Sequence, residues 1–451
     1  MQTKPPELLA PAGSLRMLET AFAFGATAVY AGQPRYSLRV RNNDFGDLAT
    51  LQQGIERAHG LGHRFYLVSN IYPHDNKLKS YVANMSPVIA LKPDAMIMSD
   101  PGLIMMAREA WPEMEIHLSV QANTVNSGAV KFWKTAGIAR VILSRELTLD
   151  QVAHIRQECP DTELEVFVHG ALCIAYSGRC LLSGYFNHRD ANQGSCTNSC
   201  RWDYKTQTGV EDASGDILTL QAAREREHPQ GVYLIEESQR PGSFLPIEED
   251  EHGTYVMNSR DLRAIEYVQR LVAMGIDSLK IEGRTKSPYY VARTAQAYRK
   301  AIDDAVAGCE LDPALLGQLE GLANRGYTSG FFQRHTPEAT QNYLRGYSES
   351  GRSLYVGDAV AFDADRGLVQ VNARNKFSVG DRLEIIHPGS NFDVQVTRLE
   401  NAEGEVVQVA SGSGHTVWLD LPESCVGAFV ARYLQAVEAT VAVPVDELIA
   451  D

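Results

Sequence analysis

Eight short apolar runs, each followed by a polar or Gly/Pro-rich turn and then by a stretch with helical spacing, constrain this chain more than any other feature. The runs are Glu7–Ala10, Ala28–Tyr30, Phe65–Val68, Ala95–Met98, Ile116–Val120, Arg140–Leu143, Leu164–Val168 and Ser278–Ile281. Between them, Leu15–Phe24, Leu51–Leu61, Leu103–Ala110 and Leu149–Glu158 carry apolar residues at three- and four-residue intervals, as crossover helices do. Strands buried on both faces and alternating with helices belong in a parallel sheet, and eight such units predict closure into a TIM-type (β/α)8 barrel.

Such a barrel takes ~250 residues, whereas this one extends to about residue 345. The excess is concentrated between the seventh and eighth runs, in an insertion at about 171–277 that contains a polar Gln221–Gly231 stretch and an expected strand pair, Val232–Ile235 with Thr254–Met257. Long insertions after barrel strands fall on the catalytic face. Pro288–Ala307 reads as a helix, with Pro288 at its first position and Gly308 as its stop. From residue 346 the pattern changes to short β-rich runs, Tyr355–Phe362, Val369–Val371, Arg382–Ile386, Val394–Leu399 and Thr416–Leu419, which predicts a small C-terminal β-barrel domain over 346–451.

The formal net charge is −14, a field that repels polyanions. From Arg352 onward there are 7 basic and 15 acidic residues, so the C-terminal part carries more than half of that excess and is a poor surface for RNA. A nucleic-acid contact must use a local basic patch, and the candidate is Arg35, Arg39 and Arg41 in the Pro34–Asn43 segment. The alternative is a solvated loop whose arginines pair with carboxylates. The N-terminal residues lack the apolar core of a signal sequence, and no run reaches the ~20 apolar residues that span a bilayer. A cytoplasmic protein without a membrane partner is expected.

In that reducing compartment a cysteine cluster reads as metal binding or catalysis before disulfides. Cys173, Cys180, Cys196 and Cys200 fall within 28 residues, as C-x6-C, a fifteen-residue gap and C-x3-C. Four thiolates suit an iron–sulfur cluster. Zinc is the competitor, but its knuckles use two to four residues between ligands, which C-x6-C does not match. Asp203 stands where a C-x3-C-x2-C motif would need its third cysteine, so a radical-SAM site has no support.

The ends of the strands supply the other candidates. His169 closes the seventh run and suits a base, a cluster neighbour or a substrate donor, or else a histidine that orients the turn. Lys280, Glu282 and Arg284 share one face of the eighth run and its extension by the period of two. Three charges inside a barrel require pairing, so they form either a polar catalytic network or a structural ion-pair cluster, with Arg284 the expected contact to an anionic ligand. Asn70, Gln121, Asn123 and Arg145, with Ser99, Asp100, Ser144 and Glu146, converge at the same mouth if the count of eight holds. Pro11-Ala-Gly13 and Tyr30-Ala-Gly32 are turns where backbone can approach a ligand.

The strings Phe167–Cys173, Tyr176–Ser183 and Asn192–Arg201, with Glu7–Gly13, Ala28–Gly32, Asn258–Asp261 and Lys280–Arg284, resemble the family filed as U32 peptidases over nearly the whole chain. Gly32–Asn42, the length and the β-rich tail look most like its tRNA-hydroxylating bacterial members. The resemblance implies prephenate-dependent, oxygen-independent conversion of the wobble uridine in the tRNA anticodon loop to 5-hydroxyuridine. It also implies a cluster, 4Fe–4S in related members, on Cys173, Cys180, Cys196 and Cys200. The peptidase label itself has little residue-level support, since neither H-E-x-x-H nor G-x-S-x-G occurs. A zinc-stapled RNA-binding barrel without redox chemistry is the third reading.

Overall fold

The computed structural model describes residues 4–32, 35–38, 43–172, 260–324, 326–333 and 353–434, together with the backbone of five short strands between 209 and 255. All eight runs form strands: β1 Glu7–Pro11, β2 Ala28–Gly32, β3 Arg64–Ser69, β4 Ala95–Met98, β5 Ile116–Leu118, β6 Arg140–Ile142, β7 Glu163–Ala171 and β8 Ser278–Ile281. Each pairs in parallel with the next, and β8 pairs with both β7 and β1, so the sheet closes on itself as the expected barrel. Leu8, Leu9, Val29, Leu67, Met96, Leu118, Val141 and Leu279 are all buried, which is why these strands read as continuous apolar runs.

The helices that follow the strands are α1 Leu15–Ala23, α2 Leu48–Gly60, α3 Tyr81–Ile89, α4 Pro101–Ala110, α5 Ser127–Thr135, α6 Leu149–Glu158, α7 Val268–Ala273 and α8 Pro288–Ala307. Their starts lie at the strands' C-terminal ends, where Ser14, Asp47, Asp100, Asn126, Thr148 and Ser287 each accept a backbone N–H from the first turn. Thr148 and Gln151 complete a reciprocal capping box on α6. Pro288 occupies the first turn of α8 and Gly308 caps its end, as its sequence predicts.

The lower, N-terminal part of the barrel is filled by charge as well as by hydrocarbon. Arg140 of β6 reaches Glu7 of β1 at 2.5 Å, Glu163 of β7 at 2.7 Å and Glu165 of β7 at 3.2 Å. Lys280 of β8 donates to the other oxygen of Glu165 at 2.8 Å. Tyr66 of β3 donates to Glu7 at 2.6 Å, and Ser278 of β8 donates to it at 3.1 Å. Burial opposes the Arg140 charge, but the surrounding carboxylates outweigh it and raise its pKa. Burial likewise opposes ionisation of Glu165, yet Lys280 and Arg140 hold it below the ordinary glutamate range.

Around the insertion the expectation needs correction in two places. Val232–Ile235 and Thr254–Met257 do not pair with each other: Tyr233–Glu236 and Gly253–Tyr255 each pair antiparallel with Phe244–Asp250 between them. That middle strand carries three carboxylates and a proline in Phe244-Leu-Pro-Ile-Glu-Glu-Asp250, so its apolar alternation is too weak to read. The insertion also ends earlier than 277. Asp261–Arg263 is already back on the barrel, antiparallel to His169–Ala171 and parallel to Tyr327–Thr328. The chain then runs through α7 into β8 as an ordinary crossover.

The chain divides into two compact units, Met1–Leu316 with Asn324–Glu349 and Gly317–Ala323 with Ser350–Asp451. In the second, the β-rich tail is a curled eight-stranded antiparallel sheet from Phe392–Gln395 at one end to Val406–Val407 at the other. Its core is Val356, Val369, Val371, Phe377, Leu383, Ile385, Leu399, Val417, Leu419 and Val430. Arg366, Arg374, Arg382, Arg398 and Arg432 each lie within ion-pair distance of a carboxylate. Among the described residues no helix is long and apolar enough to cross a membrane.

The Arg140 network gives a direct prediction. Arg140→Met keeps the side-chain volume but leaves Glu7 and Glu165 without their shared cation, and breaking a buried pair from one side costs about 3–5 kcal/mol. Denaturant unfolding should show that loss, whereas a surface change such as Lys131→Met should shift stability by under about 1 kcal/mol.

Candidate functional site

Above the Glu165–Lys280 pair, the C-terminal ends of β2, β6, β7 and β8 bring aromatic rings and charges together. The Lys280 ammonium lies 4.5 Å from the centre of the Tyr30 ring and 5.4 Å from that of Phe167. Tyr30 donates its hydroxyl to the Ile281 carbonyl at 2.9 Å and lies 3.4 Å from Glu282 Oε2. Arg145 stacks 3.8 Å above Phe167 and is 3.6 Å from the same Glu282 carboxylate. Arg284 lies 6.0 Å from the Tyr30 ring centre and donates to the Leu38 carbonyl. Lys280, Glu282 and Arg284 therefore do share one face, and Arg145 joins them.

Burial pushes the Lys280 amino group below its ordinary value, while Glu165 and Glu282 pull it back up. Ionised Glu165 2.8 Å away fits a charged Lys280, so the pair is best described as a buried ion pair flanked by two rings. The Tyr30 hydroxyl is pushed well above its ordinary value, first by burial and then by the negative charge of Glu282. It remains a neutral donor.

The opposite side of the mouth is lined with amides and hydroxyls. Asn70, just after β3, accepts from the Leu38 N–H at 3.1 Å and donates to Ser119 at 3.2 Å. Asn123 donates to Ser144 at 3.1 Å and has a left-handed backbone, with φ of 52°, which asparagine tolerates better than most residues. Gln121 is half-buried, and its backbone carbonyl accepts from the Tyr72 hydroxyl at 2.6 Å. Asn70 is thus bonded to the residue just after β5, and Asn123 to one just after β6.

His169 lies elsewhere. The β7–β8 register shifts between Lys280 and Ile281, and the period of two that carries Glu165 and Phe167 inward stops there. The His169 ring sits among Tyr290 and Tyr298 of α8 and Tyr327, with ring centres 5.5–5.8 Å away. Its Nδ1 is 3.3 Å from the Tyr298 hydroxyl. Of its alternative roles, the turn-orienting one matches these contacts. Burial pushes its pKa down to about 3, so the ring is neutral. The next residue, Gly170, has φ of +108°, and a Cβ there would stand 2.6 Å from the Glu282 carbonyl, so only glycine fits.

Tyr298 is fully buried and joins both stems of the insertion. It donates to the Val168 carbonyl at 2.6 Å, accepts from the Ala264 N–H at 3.1 Å and contacts His169. Arg35, exposed on the turn after β2, lies 3.4 Å from Ser80 Oγ. Arg39, Arg41, Cys173, Cys180, Cys196 and Cys200 fall outside the described residues. The described cysteines are Cys159, Cys309 and Cys425; the first and last are buried, which raises their thiol pKa values. Tyr30, Ser37, Glu165, Phe167 and Tyr298 belong to the site or its support and were not among the sequence candidates. Alternation along β2 and β7 points Tyr30, Glu165 and Phe167 inward, whereas Ser37 and Tyr298 carry no local signal.

A closed parallel barrel with a charged, aromatic-lined mouth at its strand C-termini defines the general class, a (β/α)8 protein with its polar site on the face used for catalysis in this architecture. Residues 13–342 match the model of peptidase family U32, and residues 352–432 match that of the peptidase family U32 C-terminal domain. The chain belongs to this family. It is 57% identical over 433 residues to the tRNA hydroxylation protein P of Escherichia coli, covering 93% of this chain and 94% of that one. To the protein of the same name from Haemophilus influenzae it is 54% identical over 431 residues, again covering 93% and 94%. A Porphyromonas gingivalis protein named Collagenase is 27% identical over 423 residues, with 90% and 92% covered.

Two consequences can be measured. A histidine held neutral to about pH 3 adds stability above its unfolded value of about 6.5, and that contribution is lost as pH falls through this window. Wild-type stability should therefore drop faster with acid below about pH 6.5 than that of His169→Gln, as read by urea unfolding at several pH values. Tyr298→Phe removes one hydroxyl with several partners and should cost about 1–3 kcal/mol in the same assay.

Proposed function

We propose that this protein is a tRNA-modifying hydroxylase that converts the wobble uridine of the anticodon loop to 5-hydroxyuridine in a prephenate-dependent, oxygen-independent reaction. The observation that carries this reading is the identity of 57% and 54%, over nearly the full length of both partners, to two proteins named tRNA hydroxylation protein P. The barrel mouth supports it by its chemistry. Lys280, Arg145 and Arg284 supply positive charge for a phosphate or a carboxylated co-substrate, and Tyr30 and Phe167 supply ring faces. Asn70, Gln121 and Asn123 supply amides of the kind that bond the edge of a base. A wobble base lies in a single-stranded loop, so turning it into a barrel mouth costs less than extracting it from a duplex.

Cys173, Cys180, Cys196 and Cys200 are the proposed ligands of an iron–sulfur cluster, and four thiols are the right donor set in kind and number. Such a cluster supplies electron transfer or Lewis acidity when bound. Cys173 follows directly on Leu172 at the end of β7, two residues beyond the last barrel strand residue, Ala171. The Tyr298 contacts hold the stem from which this segment departs and the strand to which the chain returns. The described residues bind, orient and shield: the Glu165–Lys280 pair fixes the floor, and Arg145 and Glu282 fix each other above it.

Nucleoside analysis of tRNA from a strain lacking this protein tests the reading. 5-Hydroxyuridine and its derivatives should disappear, return with the wild-type gene, and fail to return with Cys173→Ala or Cys196→Ala. Unchanged tRNA in the deletion strain, or collagen cleavage by purified protein with no effect on tRNA, would overturn it. Anaerobically purified protein should contain iron and sulfide; colourless protein with stoichiometric zinc would remove the cluster while leaving the tRNA substrate to be judged by the nucleosides.

A further inference from the structure

The turn after β2 places a buried hydroxyl, that of Ser37, beside the Arg284 guanidinium. Ser37 there is fully buried, and its Oγ has no hydrogen-bond partner among the described residues. An unpaired buried hydroxyl is costly, so its persistence calls for a partner that arrives from outside. The turn is firmly placed. Leu38 donates its N–H to Asn70, Arg284 donates to the Leu38 carbonyl, and the Ile71 N–H donates to the Tyr36 carbonyl at 3.3 Å. Buried Tyr36 packs edge-on against Tyr81, with ring centres 5.0 Å apart.

The second group is the Arg284 guanidinium. A Cβ built on Gly32 would stand 2.2 Å from Arg284 Nη1 and 2.3 Å from Ser37 Oγ. The two donors are therefore no more than about 4.5 Å apart, a spacing at which one oxygen accepts a normal hydrogen bond from each. A methyl group at residue 32 would collide with both, so glycine is what lets them converge. Donor chemistry decides the kind of ligand atom: a hydroxyl and a guanidinium both donate, so they receive an oxygen, and the guanidinium favours one that carries negative charge. Nearby, Arg145 pairs with Glu282 and Lys280 with Glu165.

We propose that Gly32, Ser37 and Arg284 form an oxyanion subsite, in which one carboxylate or phosphate oxygen of a substrate accepts from Ser37 Oγ–H and from the Arg284 guanidinium. This rests on the proposed function only in placing an anionic substrate group at the barrel mouth. No bond is made or broken at the subsite; Ser37 and Arg284 bind and orient.

Isothermal titration of the full-length protein with malonate and, separately, with inorganic phosphate tests the subsite. At least one probe should bind saturably, Ser37→Ala should weaken it about tenfold through loss of a hydrogen bond to a charged group, and Gly32→Ala should weaken it further. The unfolding midpoint of Ser37→Ala should stay level or rise, because the free protein loses only an unpaired buried hydroxyl; a purely structural serine would lower it. Binding of malonate alone assigns the subsite to a carboxylate, and binding of phosphate alone assigns it to a phosphate group. Failure of wild type to bind either probe, or equal binding by wild type and Ser37→Ala, overturns the proposal. Small-anion binding is read without tRNA and tRNA nucleosides without added anion, so this subsite and the proposed reaction fail separately.

Discussion

The Glu165 carboxylate, with Arg140 on one oxygen and Lys280 on the other, is the contact on which the remainder of the barrel depends. It joins β6, β7 and β8, and Arg140 carries the connection on to β1 through Glu7. Charges taken this far from water are tolerated only as a connected set, because any one left alone carries the full desolvation cost. The network therefore specifies which strands close the barrel as well as filling its lower interior. Its upper member, Lys280, is also the floor of the mouth, so closure and site share one side chain.

From that floor upward, the site is organised by contrast between two sides. The ends of β2, β6 and β8 contribute rings and charges, with Tyr30 at the centre and Arg145 and Glu282 bracing each other. The ends of β3 and β5 contribute amides whose own hydrogen bonds hold them in place, Asn70 to Ser119 and Asn123 to Ser144. A mouth with both kinds of group suits a substrate that is part planar and polar and part anionic. The turn after β2 bridges the sides, since Leu38 is bonded to Asn70 by its N–H and to Arg284 by its carbonyl.

Much of this was legible in residue order because parallel barrel strands are continuous apolar runs and the helices between them show a clear period. The eight runs all became strands, and the end of the long helix at Gly308 followed from its stop signal. The inward set Lys280, Glu282 and Arg284 followed from a period of two. His169 did not follow the same logic, because a register shift opposite Ile281 turns it into an aromatic pocket against α8. A bulge depends on how two strands meet, and no local pattern announces it. The strand Phe244–Asp250 was hidden by its acidic composition, and the return strand Asp261–Arg263 was too short to read.

By itself, the sequence determined the eight-unit barrel, the β-rich tail, the cysteine quartet and the strand ends that face the mouth, because each is a matter of spacing along the chain. Tertiary structure alone decided which charges answer one another. Glu7, Arg140, Glu165 and Lys280 are separated by up to 273 positions and become neighbours only when β8 meets β1. It alone brought Ser37 and Arg284 together across Gly32, and set Tyr298 between the two stems of the insertion. The reason is physical: periodicity fixes the face on which a side chain lies, whereas the partner it meets is fixed by barrel closure and strand register.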